Sequence, residues 1–359
     1  MVQSILIVSP NWLGDAVMAM PAVHRFRSEH PQAQIVVLAK PGVAALWRMH
    51  DSPDEVIELR PGNGGTFAAA RSLRARKFSQ AIILPNSFRS ALIPFLAGIL
   101  KRRGTAFHAR GLMINDRVSL AGSSETGVVE HQAREYFQIL CGSPDGVLAD
   151  TGFRPPKAAL LAELNADADT IWVGIIPGAA RGASKRWPYF AQAANHVLRE
   201  RSDVRFVVAG SAGEALLCAE VAAAIGEQAV SIAGRTNLTE FAALLSGCRL
   251  VMCNDSGGMH LASAAGVPVV AVYGVTDAAK TGPIGANAVV ICAEGVQASR
   301  KVPRESALAE AALASIRPER VAAACLALLN IRSTFDHENR SQDTVLSALT
   351  MNTHDQALT

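Results

Sequence analysis

The sequence predicts an α/β protein with two doubly wound, parallel-sheet domains, and three observations carry that expectation. Short apolar runs recur along the chain, and each is followed by a segment with helical patterning, the rhythm of parallel strands joined by crossover helices. The rhythm is interrupted at Ser143–Ala159, where Pro144, Gly146, Gly152, Pro155 and Pro156 crowd together, and it restarts at Trp172. The 359 residues are 50% hydrophobic and 18% charged, enough for two cores of ordinary size. The domains are therefore drawn as residues 1–155 and 156–332, with a polar tail at 333–359.

The first domain opens on a buried strand, Ile5–Val8. The loop Ser9–Asp15 leads into a helix running to Glu29. Pro21 should kink that helix, because proline offers no N–H to the preceding turn. Ile35–Ala39, Val56–Leu59 and Ala81–Leu84 are the next strands. Pro41–His50, Phe67–Lys77 and the apolar Phe88–Leu100 are the helices among them, and a less regular stretch precedes a helix near Glu130–Leu140. In the second domain the strands are Trp172–Ile176, Arg205–Ala209, Leu250–Cys253, Val269–Tyr273 and, more weakly, Val289–Cys292. The helices are Tyr189–Arg201, Glu214–Ile225, Thr239–Ser246 and Arg317–Leu329. From Ser333 the chain is polar and aperiodic, which reads as a mostly disordered tail.

Composition narrows the class. A formal net charge of +3 and a mean hydropathy of +0.21 describe a well-cored globular chain. Six dispersed cysteines without a CxxC pair read as mostly buried free thiols in a reducing, cytoplasmic setting. The N-terminus shows no basic and apolar leader pattern, so no signal peptide is expected. The apolar run Ala91–Leu100 is shorter than the roughly 20 residues that cross a bilayer.

Tandem parallel sheets bind ligands between the C-terminal ends of their strands, and three loops should converge there: Ser9–Asp15, Pro177–Pro188 and Asn254–Gly258. In the third loop, Asp255-Ser-Gly-Gly258 joins a strand to a short helix that stops at Gly266. The unpaired N–H groups of that helix make an anion site, and Gly257 and Gly258 let a ligand approach the backbone. Ser256 either caps the helix or meets a phosphate oxygen, and His260 lies one turn in. A plain crossover turn shares this pattern. Asp255 favours a ligand, since a carboxylate beside an anion site suits sugar hydroxyls.

Asp15, after Gly14, is either a first-turn acid favoured by the helix dipole or a general base. Lys185 and Arg186, in a loop with Gly178 and Gly182, suit a departing diphosphate, and Trp187 should anchor that loop. Glu214 suits ribose hydroxyls or a helix N-terminus. The loop Gly234–Leu238, with Thr236, suits a base edge or only a turn. Between Arg60 and Arg117 the only acid is Asp116. Interleaved stacking aromatics are lacking, so nucleic acid is set aside, and an anionic acceptor at a membrane surface fits better. The neighbouring apolar helix either touches that surface or is core. No GxGxxG follows the first strand, which weighs against a nicotinamide-dependent oxidoreductase.

Taken together, Pro10-Asn-Trp-Leu-Gly-Asp15, Pro177-Gly-Ala with Lys185-Arg-Trp-Pro188, Gly234-Arg-Thr-Asn-Leu238 and Asn254-Asp-Ser-Gly-Gly-Met-His260 resemble the ADP-heptose–lipopolysaccharide heptosyltransferases of glycosyltransferase family 9. The resemblance covers roughly Ile5–Leu329, and its wording is nearest the heptosyltransferase II branch. It implies the GT-B architecture: two Rossmann-like domains facing across a cleft, with donor on the second and acceptor on the first. It implies inverting transfer of L-glycero-D-manno-heptose from ADP-heptose to the heptosyl-Kdo2-lipid A inner core of lipopolysaccharide. No metal or cofactor is implied, and the place of work is the inner face of the inner membrane, bound peripherally. By position, Asp15 resembles the general base and Lys185 the diphosphate contact. Glu214 matches the ribose-binding acid, Thr236 the adenine loop and Asp255 the acid that grips heptose hydroxyls. Ser256, Gly257 and His260 match the diphosphate site, and Gly14, Arg186 and Gly258 lie beside these in the same motifs. One departure stands out: Glu294–Ala314 is Ala- and Arg-rich and lacks the cysteine-rich insert of the heptosyltransferase II type. Another sugar or acceptor within the family stays open, as does a non-catalytic binding protein of the same fold. The joint presence of Asp15 and Lys185 argues against the latter.

Overall fold

The computed structural model describes residues 3–335 apart from 61, 108, 121–128, 158, 165–169, 181, 299–302 and 304. Within these, two six-stranded parallel sheets form two lobes. The first sheet has the order β3-β2-β1-β4-β5-β6, built from β1 (Ser4–Val8), β2 (Gln34–Ala39), β3 (Glu55–Glu58), β4 (Gln80–Ile83), β5 (Lys101–Gly104) and β6 (Asp116–Arg117). Its helices are α1 (Leu13–Glu29), α2 (Pro41–Arg48), α3 (Gly62–Ala75), α4 (Phe88–Leu96) and α5 (Gln132–Cys141). After α6 (Ala159–Leu164), the second sheet has the order β12-β11-β10-β7-β8-β9. Its strands are β7 (Ile171–Ile176), β8 (Val204–Val208), β9 (Ala229–Ser231), β10 (Leu250–Asn254), β11 (Val269–Tyr273) and β12 (Ala288–Cys292). Around it lie α7 (Phe190–Glu200), α8 (Ala215–Ile225), α9 (Leu238–Ser246), α10 (Gly257–Ala264), α11 (Ala278–Thr281), α12 (Ala307–Ala314) and α13 (Pro318–Phe335).

Strand order reverses between β1 and β4 in one sheet and between β7 and β10 in the other. At such a switch point neighbouring crossovers leave to opposite faces, which opens a crevice at the strand ends. The crevice loops are 9–12 and 84–87 in the first lobe, and 177–188 and 255–256 in the second.

The structure corrects several expectations. The stretch expected to be irregular contains β5 and β6; their charged sequences give no apolar run to read. The half-buried β9 is equally silent. The helix from Phe88 ends at Leu96, followed by Gly98 with φ +74°, and α3 starts at Gly62 rather than Phe67. The last helix reaches Phe335, beyond the 332 boundary, and residues 336–359 of the expected tail lie outside the described ones.

One apolar core runs through both lobes, joining α1, α2 and α5 to α9 and α10; two further cores fill the outer faces of the sheets. The Pro- and Gly-rich connection is packed rather than loose. Phe153 is buried and bridges to His50, and Thr151 donates to the Ala264 carbonyl at 2.9 Å.

Candidate active site

A cavity of about 720 Å³ opens between the lobes. From the first lobe Gly14 and Asp15 line it, at the start of α1. From the second come Lys185, Asp255, Ser256, Gly257 and His260. A second cavity of about 450 Å³ lies on the first-lobe side, and both are lined by Trp12, Asp15, Asn86, Gln132 and Glu135.

Each side chain is held by local structure. β10 ends at Asn254, whose fully buried amide accepts from the Trp187 N–H at 2.9 Å and donates to the Pro177 carbonyl at 2.8 Å. One side chain thus ties both ends of the basic loop to the strand beside it. Trp187 is buried edge-on against Tyr189 and Phe190, and its indole donates to the Ile316 carbonyl at 3.0 Å, so it does anchor the loop. A 3-10 turn at Ala183–Lys185 then turns Lys185 onto Asp255, forming an ion pair. Ser256 caps α10 by accepting from the Met259 N–H, and Ser256 and Gly257 line the cavity at the start of that helix.

His260 is 4% exposed, with no hydrogen-bond partner for Nδ1 among the described residues. Burial pushes its pKa down to about 4, outweighing the attraction of Asp255. Its ring explains Gly14: a Cβ there would meet His260 Cδ2 at 2.8 Å, so α1 and α10 touch only because residue 14 has no side chain. A Cβ at Gly257 would meet Leu13 at 3.0 Å, and one at Gly258 would meet Ile176 at 2.8 Å, so Gly258 faces the core rather than the cavity.

Arg186, Glu214 and Thr236 do not line this cavity. Arg186 lies within electrostatic reach of Cys218 of α8. Glu214 Oε2 accepts from the Ser211 N–H at 2.9 Å and its hydroxyl at 2.7 Å, so the carboxylate closes the turn into α8. The same carboxylate fills the space a side chain at Gly178 would need. Thr236 precedes Asn237, the N-cap of α9. These three follow the β7, β8 and β9 ends, so the expected site residues run along one sheet edge from β9 to β10.

Gln132 Nε2 donates to Asp15 Oδ1 at 3.1 Å and to the Tyr136 hydroxyl at 3.1 Å. Burial, then the charge of Asp15, raises the Tyr136 pKa and keeps it a neutral phenol. Glu135 pairs with Lys280 of α11, and His131 meets the Gly282 carbonyl at 3.0 Å, so α5 spans the cleft. Sequence reading passed over Asn86, Gln132, Glu135, Lys280 and the role of Asn254. The strand-end rule applied to Ala81–Leu84 flags Asn86; the α5 residues carry no signal of their own. Among the described residues, no group of three His, Cys, Asp or Glu side chains is placed to hold a metal ion.

Comparison with known proteins gives a consistent picture. Residues 66–312 match the family described as glycosyltransferase family 9 (heptosyltransferase). Lipopolysaccharide heptosyltransferase 2 of Escherichia coli K12 is 30% identical over 311 residues, 80% of this chain and 87% of that protein. Lipooligosaccharide heptosyltransferase 2 of Haemophilus influenzae is 30% identical over 305 residues, 80% and 88%. Among solved structures, E. coli ADP-heptose LPS heptosyltransferase II superposes with a TM-score of 0.76 at 27% identity, covering 92% of this chain and 100% of that one. A family 9 glycosyltransferase from Veillonella parvula shares the fold, with a TM-score of 0.78 at 20% identity.

Proposed function

The chain belongs to glycosyltransferase family 9, and on that footing we propose that it is a heptosyltransferase II-like enzyme of lipopolysaccharide core synthesis, moving L-glycero-D-manno-heptose from ADP-heptose to heptosyl-Kdo2-lipid A with inversion. The observation that carries this reading is that Asp15 from one lobe and the Lys185–Asp255 pair from the other line one cavity. That is the layout an inverting transfer between a lobe-bound donor and a lobe-bound acceptor needs.

The donor lies along the second sheet's edge. Its base rests in the loop around Thr236, its ribose against the free edge of the Glu214 carboxylate, and its diphosphate between Arg186, Lys185 and the α10 N-terminus at Ser256 and Gly257. The sugar then reaches Asp255, whose oxygens accept from its hydroxyls. Asp15 takes the proton of the attacking acceptor hydroxyl. That oxygen bonds to the anomeric carbon from the face opposite the ADP, and the carbon–phosphate oxygen bond breaks with its electrons leaving on ADP. Lys185 and the helix N-terminus take up the developing charge, so the proposed chemistry needs no metal or cofactor. His260, neutral above its lowered pKa, adds a polar ring to the same wall without a fixed charge.

A thermal-shift panel tests the donor. ADP-heptose at about 100 times Kd should stabilise the protein by about 2.7 kcal/mol, with UDP-, GDP- and CMP-sugars giving far less. Stabilisation by a different nucleotide sugar alone would replace the donor. Radiolabel transfer from ADP-heptose to heptosyl-Kdo2-lipid A tests the acceptor.

No helix among the described residues is long and apolar enough to cross a membrane. A peripheral contact with the inner leaflet, at the cytoplasmic face, is the proposed place of work. It is supported by exposed Phe67, Phe95 and Leu100 near Arg71, Arg74 and Lys101.

A further inference from the structure

Arg110 is fully buried, yet no described carboxylate pairs with it. Burial lowers its pKa, but guanidinium basicity is high enough that the group stays charged. A buried, unpaired cation is costly, so its contacts ask for a reason. Those contacts converge on the strand-end loop 85–87. Nη1 donates to the Pro85 carbonyl, and Nη2 donates to Asn86 Oδ1 at 2.9 Å and to Thr105 Oγ1. The buried Thr105 hydroxyl, accepting from Arg110, passes its own proton on to Asn86 Oδ1 at 2.5 Å.

A guanidinium only donates, so the amide atom facing it is the oxygen. Both donors below Asn86 are thereby spent on Oδ1, and the Nδ2 amino group is turned to the other side. There Asn86 is exposed, and it lines both cavities together with Asp15. No hydrogen bond from Nδ2 to another described residue is present.

We propose that Asn86 is a substrate-orienting residue whose locked amide N–H groups donate to an oxygen of the acceptor sugar beside the attacking hydroxyl, with Arg110 as its positioning residue. The assignment rests on the functional reading above, which places the acceptor against Asp15. The geometry is suited to it. A donor whose direction is set by a buried network loses little freedom when it binds, and the Arg110 charge behind the loop favours electron-rich oxygen at that point. It also separates two jobs at the meeting place of the substrates: Asp15 accepts a proton and Asn86 only donates hydrogen bonds.

The decisive variant is Asn86→Asp. It keeps an oxygen for Arg110 and Thr105 and turns an acceptor oxygen to the cleft in place of the N–H groups. The melting temperature should be maintained or raised, and ADP-heptose affinity by calorimetry should stay within about twofold. The acceptor kcat/KM should fall about tenfold or more, as loss of a hydrogen bond and gain of a repulsive lone pair require. Asn86→Ala should show the same acceptor-side loss. Arg110→Lys, if folded, should lower acceptor kcat/KM while leaving donor affinity alone. Wild-type acceptor kinetics in Asn86→Asp, with Asn86→Ala impaired, would mean the residue serves only to satisfy Arg110, and the assignment would be overturned. If the unaltered chain neither binds ADP-heptose nor transfers its sugar, the reading of the whole site falls, and this assignment with it.

Discussion

Two buried histidines give this protein a definite acid response. Burial pushes His260 and His50 down to about 4 from an ordinary value near 6.5. Between those values the unfolded chain binds protons that the folded chain refuses, so stability rises with pH there and is lost as pH falls from about 6.5 towards 4. The linkage amounts to about 2 kcal/mol for each histidine at pH 5. Urea titrations at pH 7 and pH 5 should show that loss, and His260→Asn should reduce it if the protein stays folded; a flat profile would contradict the burial. The proposed base is tested at the same scale. Asp15→Asn keeps the Gln132 contact's geometry and removes the negative charge. It should leave ADP-heptose affinity near wild type and lower kcat by about 10²-fold or more. Unchanged turnover would remove Asp15 from that role. Lys185→Ala should weaken donor binding and slow transfer together, since the ammonium faces both bound and departing diphosphate in the proposed arrangement.

Helix α5 works as an element rather than through one residue. Its first turns place Gln132 on Asp15, Glu135 on Lys280 and His131 on the Gly282 carbonyl. A helix from one lobe is thus fastened to the loop after α11 in the other. The Glu135–Lys280 pair is partly buried, which puts its expected coupling near the upper end for surface pairs. A double-mutant cycle with Glu135→Gln and Lys280→Met should give about 1 kcal/mol. Coupling indistinguishable from zero would leave α5 held by packing alone. The α1–α10 contact has a different basis: it is set by absence of a side chain at Gly14, where the ring of His260 occupies the space. Gly14→Ala forces the two helices apart at the point where donor and acceptor are proposed to meet. Transfer should fall well before global stability does, read as kcat against melting temperature.

At the scale of the molecule, the two lobes share a core, so the cleft lies beside continuous apolar packing. The first lobe carries a run of basic residues from Arg60 to Arg117, with Asp116 as the only acid in that span. Several of those guanidinium groups are held by backbone carbonyls, as Arg102 is by Met113 and Arg74 by Leu96, and such bonds leave the positive charge in place. Arg102 also lies over the exposed Phe95 ring at 5.4 Å. A surface that combines fixed cations with exposed Phe and Leu should bind anionic vesicles and release them as salt rises, because screening shortens the reach of surface charge to about 8 Å near physiological ionic strength. Co-sedimentation with phosphatidylglycerol vesicles should be salt-sensitive and weakened by a combined Phe95→Ser and Leu100→Ser change. Equal binding to neutral vesicles would assign the contact to apolar insertion alone.

The amino-acid sequence by itself determined the two parallel-sheet lobes and the strand-end loops, since buried strands such as Ile5–Val8 and Val269–Tyr273 are apolar on both faces and announce themselves locally. The loop motifs around Asp15, Lys185 and Asp255 were legible for the same reason: their glycines and charges stand next to those strands. Strands β5, β6 and β9 were not legible, because a short or charged strand is stabilised by its neighbours in the sheet and not by its own pattern. Only the tertiary structure decided that Gln132, Glu135 and Asn86 reach the same cavity, and that Arg110 stands buried behind it. Their meeting depends on how two lobes and a returning helix pack, and pairs far apart in the chain leave no local trace in the sequence.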